Sequence, residues 1–424
     1  EICIVLNYRS WLVLVVQGER MFWSMVSLCF GNGQSSHLWI SESAIQILPS
    51  GELKNILSDP NYERQWRNGT MFPDGGYAID DNYGEIAHWE PFQTAYLEWI
   101  KDTYTLPWSV EAKEHIAFLM GLASHGLADQ SYDAMYFRRA YVYDVDGMWT
   151  ESFDMATDVA FVSRTTVQPT VEVWVPFAAI LPIFDAQGHS VSMDTISQGQ
   201  SRLNLAVYWV GSTASQPDLV AEYESQFPWG TSNQLNESIP GSPILESQMV
   251  ASYWQGVWSE LIDGAGVGPL LFTHPSNGTY GHPRDHTNIE SGVSMGLPIG
   301  IDSAALLPEH IQVIKETGET HPIVVDVFYG QDSHILNIDP LDDWSEGVYR
   351  VILSQDLPLR EGRLLGDLSD GTDVEWWFST AQSSQGNDED DTLESPSKIG
   401  CHSTSVVDVT VFGMGIFGLL WRRK

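Results

Sequence analysis

The stretch HGLADQSYD, His125 to Asp133, decides how the chain is read. It spaces His125, Asp129 and Asp133 four residues apart. The run before it, EAKEHIAFLMGLAS, is rich in Ala, Leu, Met and Phe and reads as a helix. Residues four apart on a helix stack on one face. An imidazole and two carboxylates therefore line up beside Gly, Leu and Ala, on a face that the flanking sequence expects to be buried. Buried carboxylates are costly unless paired or bound to a metal. Imidazole nitrogen and carboxylate oxygen are the ligands that zinc accepts when thiolates are absent.

More acids and histidines fall in the same part of the chain. Asp74 stands in NGTMFPDGGYA, His88 in GEIAHWEPF, and His37 in SSHLWISESA. SFDMATDVAF carries Asp154 and Asp158, again four apart. The candidate metal ligands are thus His37, Asp74, His88, His125, Asp129, Asp133, Asp154 and Asp158. A single structural zinc needs only about four ligands, so this set points to two or three Zn2+ ions sharing carboxylates. Each acidic pair taken alone reads more simply as a solvated helix face.

Around these residues, from 37 to about 265, helix-like apolar stretches alternate with polar connections. EPFQTAYLEWIK and SQMVASYWQGVWSELI repeat the three- and four-residue spacing. VEVWV, Val171 to Val175, is the one stretch of this part that alternates with period two. The glycines of GAGVGP, Gly264 to Pro269, lack a strand–loop–helix frame and read as a linker. Beyond it HPIVVDVFYG, HILNID, VYRVILS and VEWWFST are short β-like runs between turn-rich pieces. The expected fold class is multidomain: a mainly α-helical domain over 37–265, then an all-β sandwich over 270–381. Residues 382–400 read as an acidic, disordered linker.

With 424 residues, 43% hydrophobic and 12% aromatic, the chain builds large cores, which excludes global disorder. Twenty basic against 56 acidic side chains leave a net charge of −36, which repels nucleic acid and anionic membranes at long range. No cysteine lies between Cys29 and Cys401, so the body holds no disulfide and no thiol nucleophile. Residues 1–36 contain apolar runs suited to a leader or export signal. Residues 401–424 combine an apolar run with Arg422, Arg423 and Lys424, short against the roughly 20 residues of a full span but fitting a membrane-halted tail.

NGTMFPD, AHWEPF, HGLADQSYD and DMATDV, in that order, resemble blocks of the zinc-dependent phospholipase C domain. The likeness is strongest to the catalytic part of glycosylphosphatidylinositol-specific phospholipases D, and the same fold includes single-strand-specific zinc nucleases. The resemblance implies a mostly helical domain holding three zinc ions in a cleft. His37 matches the family's N-terminal ligand, Asp74 its loop aspartate and His88 its next histidine. His125 and Asp129 match the central pair, and Asp154 and Asp158 the last helical pair. Two positions depart from the pattern: Glu42 and Asp133 stand where histidines are usual. Residues 270–381 resemble a bacterial Ig-like domain, carried by THPSNGTYGHPRD, LNIDPLDDWSEGVYRVIL and WWFSTA. The tail from Gly400 resembles a bacterial surface-sorting tail. His274, His282 and His286 form a rival metal set, but their place in the opening loop and strand of the second domain favours a surface reading.

The function these readings imply is metal-assisted hydrolysis of a phosphodiester in a phospholipid head group, at a membrane surface, by an exported protein. Asp74 is the expected general base or water-orienting residue. Tyr77, Trp89 and Tyr132 flank the candidate ligands; simple core packing is the favoured reading for them, and the lining of a lipid mouth is the alternative. The alternatives are a single-strand nuclease, disfavoured by the charge and the lack of a basic aromatic strip, and a non-catalytic surface adhesin with a drifted ligand set. No nucleic-acid partner is expected.

Overall fold

The computed structural model describes residues 32–144, 152–170, 172–264, 268–328, 333–382 and 410–411. The chain divides into two compact units, residues 1–265 and 266–424, and the boundary falls inside the glycine-rich linker. The expected leader lies outside the described residues up to residue 31, as do the acidic linker from 383 and all but two residues of the tail.

The first unit is helical. Its elements begin with α1 (Gln34–Ile47), α2 (Glu52–Leu57), α3 (Glu63–Met71) and α4 (Asp74–Tyr77). Then come α5 (Tyr83–His88), α6 (Glu90–Thr103) and α7 (Val110–Ser131). A π-helical turn (Tyr132–Phe137) carries α7 into α8 (Arg138–Tyr143). The unit continues through α9 (Phe153–Arg164), α10 (Phe177–Ala186) and α11 (Met193–Ala214). It closes with α12 (Pro217–Gln226), α13 (Pro228–Ser232) and α14 (Pro243–Leu261). Asn32 is buried and α1 starts at Gln34, so the ordered unit begins before His37 and takes in residues assigned by sequence to the leader. VEVWV forms no strand over its described residues 172–175. Its Glu172 carbonyl instead accepts from Asn68 Nδ2 at 3.0 Å.

Helix α7 is the axis of this unit. Ser109 caps its start, accepting from Ala112 N at 3.1 Å. Every residue from His115 to Ser131 is buried, so the face that carries His125 and Asp129 is covered rather than solvated. Helix α3 crosses α7 at backbone distance. A Cβ on Gly121 would meet the Trp66 carbonyl oxygen at 2.1 Å, and one on Gly69 would meet the Phe118 carbonyl oxygen at 2.2 Å. This crossing sets the loop after α3, which carries Asp74, against the α7 turn that carries His125. Gly121→Ala must force the two backbones apart and is expected to destabilise the helical unit by about 1–3 kcal/mol. Urea denaturation checks it, and an unchanged midpoint would mean that the helices separate freely.

The second unit holds two antiparallel sheets. Strands β1 (Phe272–His274), β2 (Val293–Gly296), β4 (Ile323–Val327) and β5 (Ile335–Pro340) pair in the order β1-β2-β5-β4. Strands β3 (Ile311–Lys315), β6 (Val348–Leu353) and β7 (Val374–Ser379) pair as β3-β6-β7. Of the tail, only Thr410–Val411 is described, as a short strand, β8, parallel to β4. Alternate residues of both sheets, among them Val293, Met295, Val313, Val325, Ile338, Val351 and Phe378, fill one core around Trp344. Among the described residues no helix is long and apolar enough to cross a membrane.

Candidate metal centre

Five of the eight sequence candidates meet in one buried cluster. Asp74 opens α4, His88 ends α5, and His125 and Asp129 lie one turn apart on α7. One ligand atom from each of these four lies within 4.8 Å of the other three. The Nε2 atoms of His88 and His125 are 3.0 Å apart. Asp129 Oδ2 is 3.2 Å from His88 Nε2 and 3.3 Å from His125 Nε2. Asp74 Oδ1 is 3.3 and 3.5 Å from the same two nitrogens. His37, from α1, completes the group: its Nε2 is 2.8 Å from Asp129 Oδ1, and its ring stacks on His125 with centroids 4.0 Å apart.

These contacts are close but do not saturate the groups. His37 Nε2, Asp74 Oδ1 and Asp129 Oδ2 are buried without a hydrogen bond of acceptable geometry. Buried polar atoms are nearly always hydrogen-bonded, so orphans gathered at one point mark a place made for another species. Three imidazoles and two carboxylates aimed inward have the donor chemistry of a divalent cation site. The electrostatics agree. Burial pushes the Asp74 carboxyl up, but His125 and His88 outweigh it and hold the group well below the usual carboxylate range. Asp129 is held low in the same way, by His37 and His125 against burial. Burial pushes the His88 imidazole down, and Asp129 and Asp74 carry it up to about 10. His37, dominated by burial and by neighbouring His125, is lowered. The second shell is built as metal-ligating histidines require. His88 Nδ1 lies 2.6 Å from the Gly84 carbonyl, which directs Nε2 at the cluster. Gln34 Nε2 donates to Asp74 Oδ2.

The other three candidates are placed differently. Asp158 accepts from Ser35 N at 3.1 Å, from Ser36 N at 2.9 Å and from Ser36 Oγ at 2.8 Å. It thus caps α1, whose own N-cap residue, Gly33, offers no side chain. Gly33 is required there, since a Cβ would lie 2.2 Å from the Asp158 side chain. Asp133 is buried in the π-helical turn. Asp154 is half-buried in the first turn of α9, and burial, then Asp133 and Asp129, push its carboxyl well up. Asp133 and Asp154 therefore share an acidic region beside the histidine cluster without joining its inner group.

Glu42 is exposed and accepts from Gln168 Nε2 at 3.0 Å, so it does not replace the missing histidine ligand. Tyr132 is fully buried with its hydroxyl on Thr157 and belongs to the core rather than a mouth. Tyr77 and Trp89 are half-buried and both donate to Glu85, at 2.7 and 3.2 Å. In the second unit His282 is buried near the Ser291 carbonyl. His286 sits in an exposed group with Asp285 and Asp343, so the rival histidine set does not converge.

Three residues of the site's surroundings escaped the sequence reading: Asn32, Gln34 and Glu246. The first two lay in the presumed leader. Glu246 had a signal: it stands three, four and seven residues before Met249, Val250 and Tyr253, all buried, which places it on the inner face of α14.

No family model matches the chain. Part of it is similar to phosphatidylinositol-glycan-specific phospholipases D. The Rattus norvegicus protein is 31% identical over 129 residues, covering 28% of this chain and 15% of that protein. The Mus musculus protein is 32% identical over 127 residues, with the same coverage of 28% and 15%. The Dictyostelium discoideum protein is 39% identical over 69 residues, 16% of this chain and 7% of that protein. The chain thus spans a small fraction of the length of these relatives. Among solved structures, surface layer protein SbsC, domains 1–6, aligns at 10% identity over 70% of this chain and 45% of that one, with a TM-score of 0.20, too low to carry an argument. Over about a quarter of its length this chain is similar to phosphatidylinositol-glycan-specific phospholipases D, and its helical unit contains a buried Asp/His cluster able to hold a metal ion.

Proposed function

We propose that the helical unit is a zinc-dependent phosphodiesterase acting on phospholipid-type head groups, glycosylated phosphatidylinositol among them. The observation that carries this reading is the convergence of His37, Asp74, His88, His125 and Asp129 from four separate helices on one point where buried atoms lack partners. Its donor set, richer in nitrogen than calcium or magnesium sites, suits zinc. Bound there, the metal supplies Lewis-acid polarisation of a phosphoryl oxygen and an acidified water. Asp74, His88, His125 and Asp129 would hold an ion, and His37, whose Nε2 is 2.8 Å from Asp129 Oδ1, would add to that donor set. Asp133 and Asp154 are the acids available to a further ion. Asp74 stays ionised and is the residue placed to accept a hydrogen bond from the attacking water and fix its direction. Tyr77, whose ring lies 5.0 Å from that of His88, packs against one side of the cluster.

The second unit fits an accessory role. Its orders β1-β2-β5-β4 and β3-β6-β7 correspond, in chain order, to the ABED and CFG sheets of a constant-type immunoglobulin sandwich. This strand order supports an Ig-like module in the second unit.

The deciding experiment measures zinc per chain and compares hydrolysis of short-chain phosphatidylcholine, a glycosylated phosphatidylinositol and single-stranded DNA. The expected result is at least one bound ion and turnover of a lipid. Faster cleavage of DNA would make the protein a nuclease, and less than one ion per chain with no turnover would favour the adhesin.

A further inference from the structure

We propose that Glu246 is a positioning residue of this centre, acting through Asn32 to fix the rotation of the Asp129 carboxylate; the proposal rests on the cluster being a metal site. Glu246 projects inward from α14 and is completely buried. Its Oε2 accepts from Asn32 Nδ2 at 2.9 Å, and its Oε1 lies 3.2 Å from Ser131 Oγ, whose one hydrogen is shared with the Leu127 carbonyl at 2.8 Å. The backbone N–H of Asn32 donates to Asp129 Oδ1 at 3.1 Å. The chain of contacts is therefore short and directional, from α14 through the segment before α1 to the acid shared by three histidines.

The geometry gives this link a specific task. Of the two acids in the inner group, Asp129 is the one whose two oxygens address different histidines: Oδ1 faces His37, and Oδ2 faces His88 and His125. Rotation of the carboxylate about its Cβ–Cγ bond would spoil both sets of contacts. The Asn32 amide occupies one lone pair of Oδ1 and opposes that rotation. Asn32 can do so only if its own backbone is fixed, and Glu246 holds its side chain. Ser131, two residues beyond Asp129, takes the other oxygen of Glu246, so α7 and the segment at Asn32 are referred to one carboxyl. Both oxygens of Glu246 are engaged by donors that are not ligands, which makes it an orienting group rather than a ligand. Outer-shell partners of this type are worth about 10–100-fold in metal affinity.

The test uses the full chain and zinc alone as probe. Zn2+ affinity is measured by competition with a chromophoric chelator, and the Co2+-substituted protein gives an absorption spectrum sensitive to ligand geometry. Glu246→Ala and Asn32→Ala are each expected to weaken the tightest Zn2+ site by about 10–100-fold and to alter the Co2+ bands. The double variant should lose little more than either single one, because both cut the same link. Glu246→Gln keeps an acceptor for Asn32 and turns an amide toward Ser131 Oγ, so it should stay close to wild type. Met249→Ala, a buried change on the same helix, should lower the melting temperature without moving affinity or spectrum. Wild-type affinity in folded Glu246→Ala and Asn32→Ala, or losses that add in full, would overturn the proposal while leaving the metal site standing. If Glu246→Ala does not fold, Asn32→Ala, which trims a side chain outside any helix, decides alone in the same way. A wild-type chain that binds no zinc overturns the site reading, and this proposal with it.

Discussion

Asp129→Asn should abolish metal retention and phosphodiester turnover together. Asparagine keeps the size of the side chain and an oxygen for the Asn32 amide. It removes the negative charge and puts an NH2 group or a neutral oxygen where Oδ2 faces His88 and His125. It also weakens the contact to His37, 2.8 Å away. One substitution therefore touches every imidazole in the cluster. Since outer-shell changes alone cost about 10–100-fold, loss of this shared ligand should exceed about a hundredfold in both affinity and turnover. Metal analysis of the purified variant beside a short-chain lipid assay gives the result. Wild-type metal content and turnover in a folded Asp129→Asn protein would show that Asp129 is not a ligand on which the site depends.

Stripping the metal is expected to lower the melting temperature of the helical unit by about 8–16 °C. A ligand at a thousand times its dissociation constant stabilises by about 4.1 kcal/mol, and about 2–4 °C per kcal/mol applies to units of this size. The physical cause is on view in the cluster. Without a cation, His37 Nε2, Asp74 Oδ1 and Asp129 Oδ2 are buried without hydrogen bonds, each at a cost of about 1–3 kcal/mol. Calorimetry before and after treatment with a strong chelator measures the change. Zn2+ should restore the transition and Mg2+ should not, because magnesium disfavours imidazole nitrogen. Identical transitions with and without chelator would show that the cluster is stable as a network of ion pairs.

Much of this was legible in residue order, for identifiable reasons. Helices α6, α7 and α14 announce themselves by apolar spacing, and β4 to β7 by short runs rich in Val and Ile. Strands β2 and β3 were not singled out because runs of four and five residues carry little signal even where they alternate. His37, Asp74, His88, His125 and Asp129 were all named from local motifs, with the family likeness supplying their common purpose. Asp158 shows where such reading stops. A pair of acids four apart on α9 looks the same whether its second member faces an ion or the start of another helix, and only the tertiary fold sends it to α1. Tyr132 lies in the core, the reading that its sequence neighbourhood favoured.

The capping of α1 also bears on the order in which the protein can be made. The amides of Ser35 and Ser36 wait for an acceptor 123 and 122 residues further on, and Asn32 for one 214 residues further on. A ribosome releases the first of these segments long before the last. His37 emerges early yet cannot be seated until almost all of the helical unit has been synthesised. The inner group from Asp74 to Asp129 is complete much earlier, so an ion held there would precede the donor that His37 adds beside Asp129.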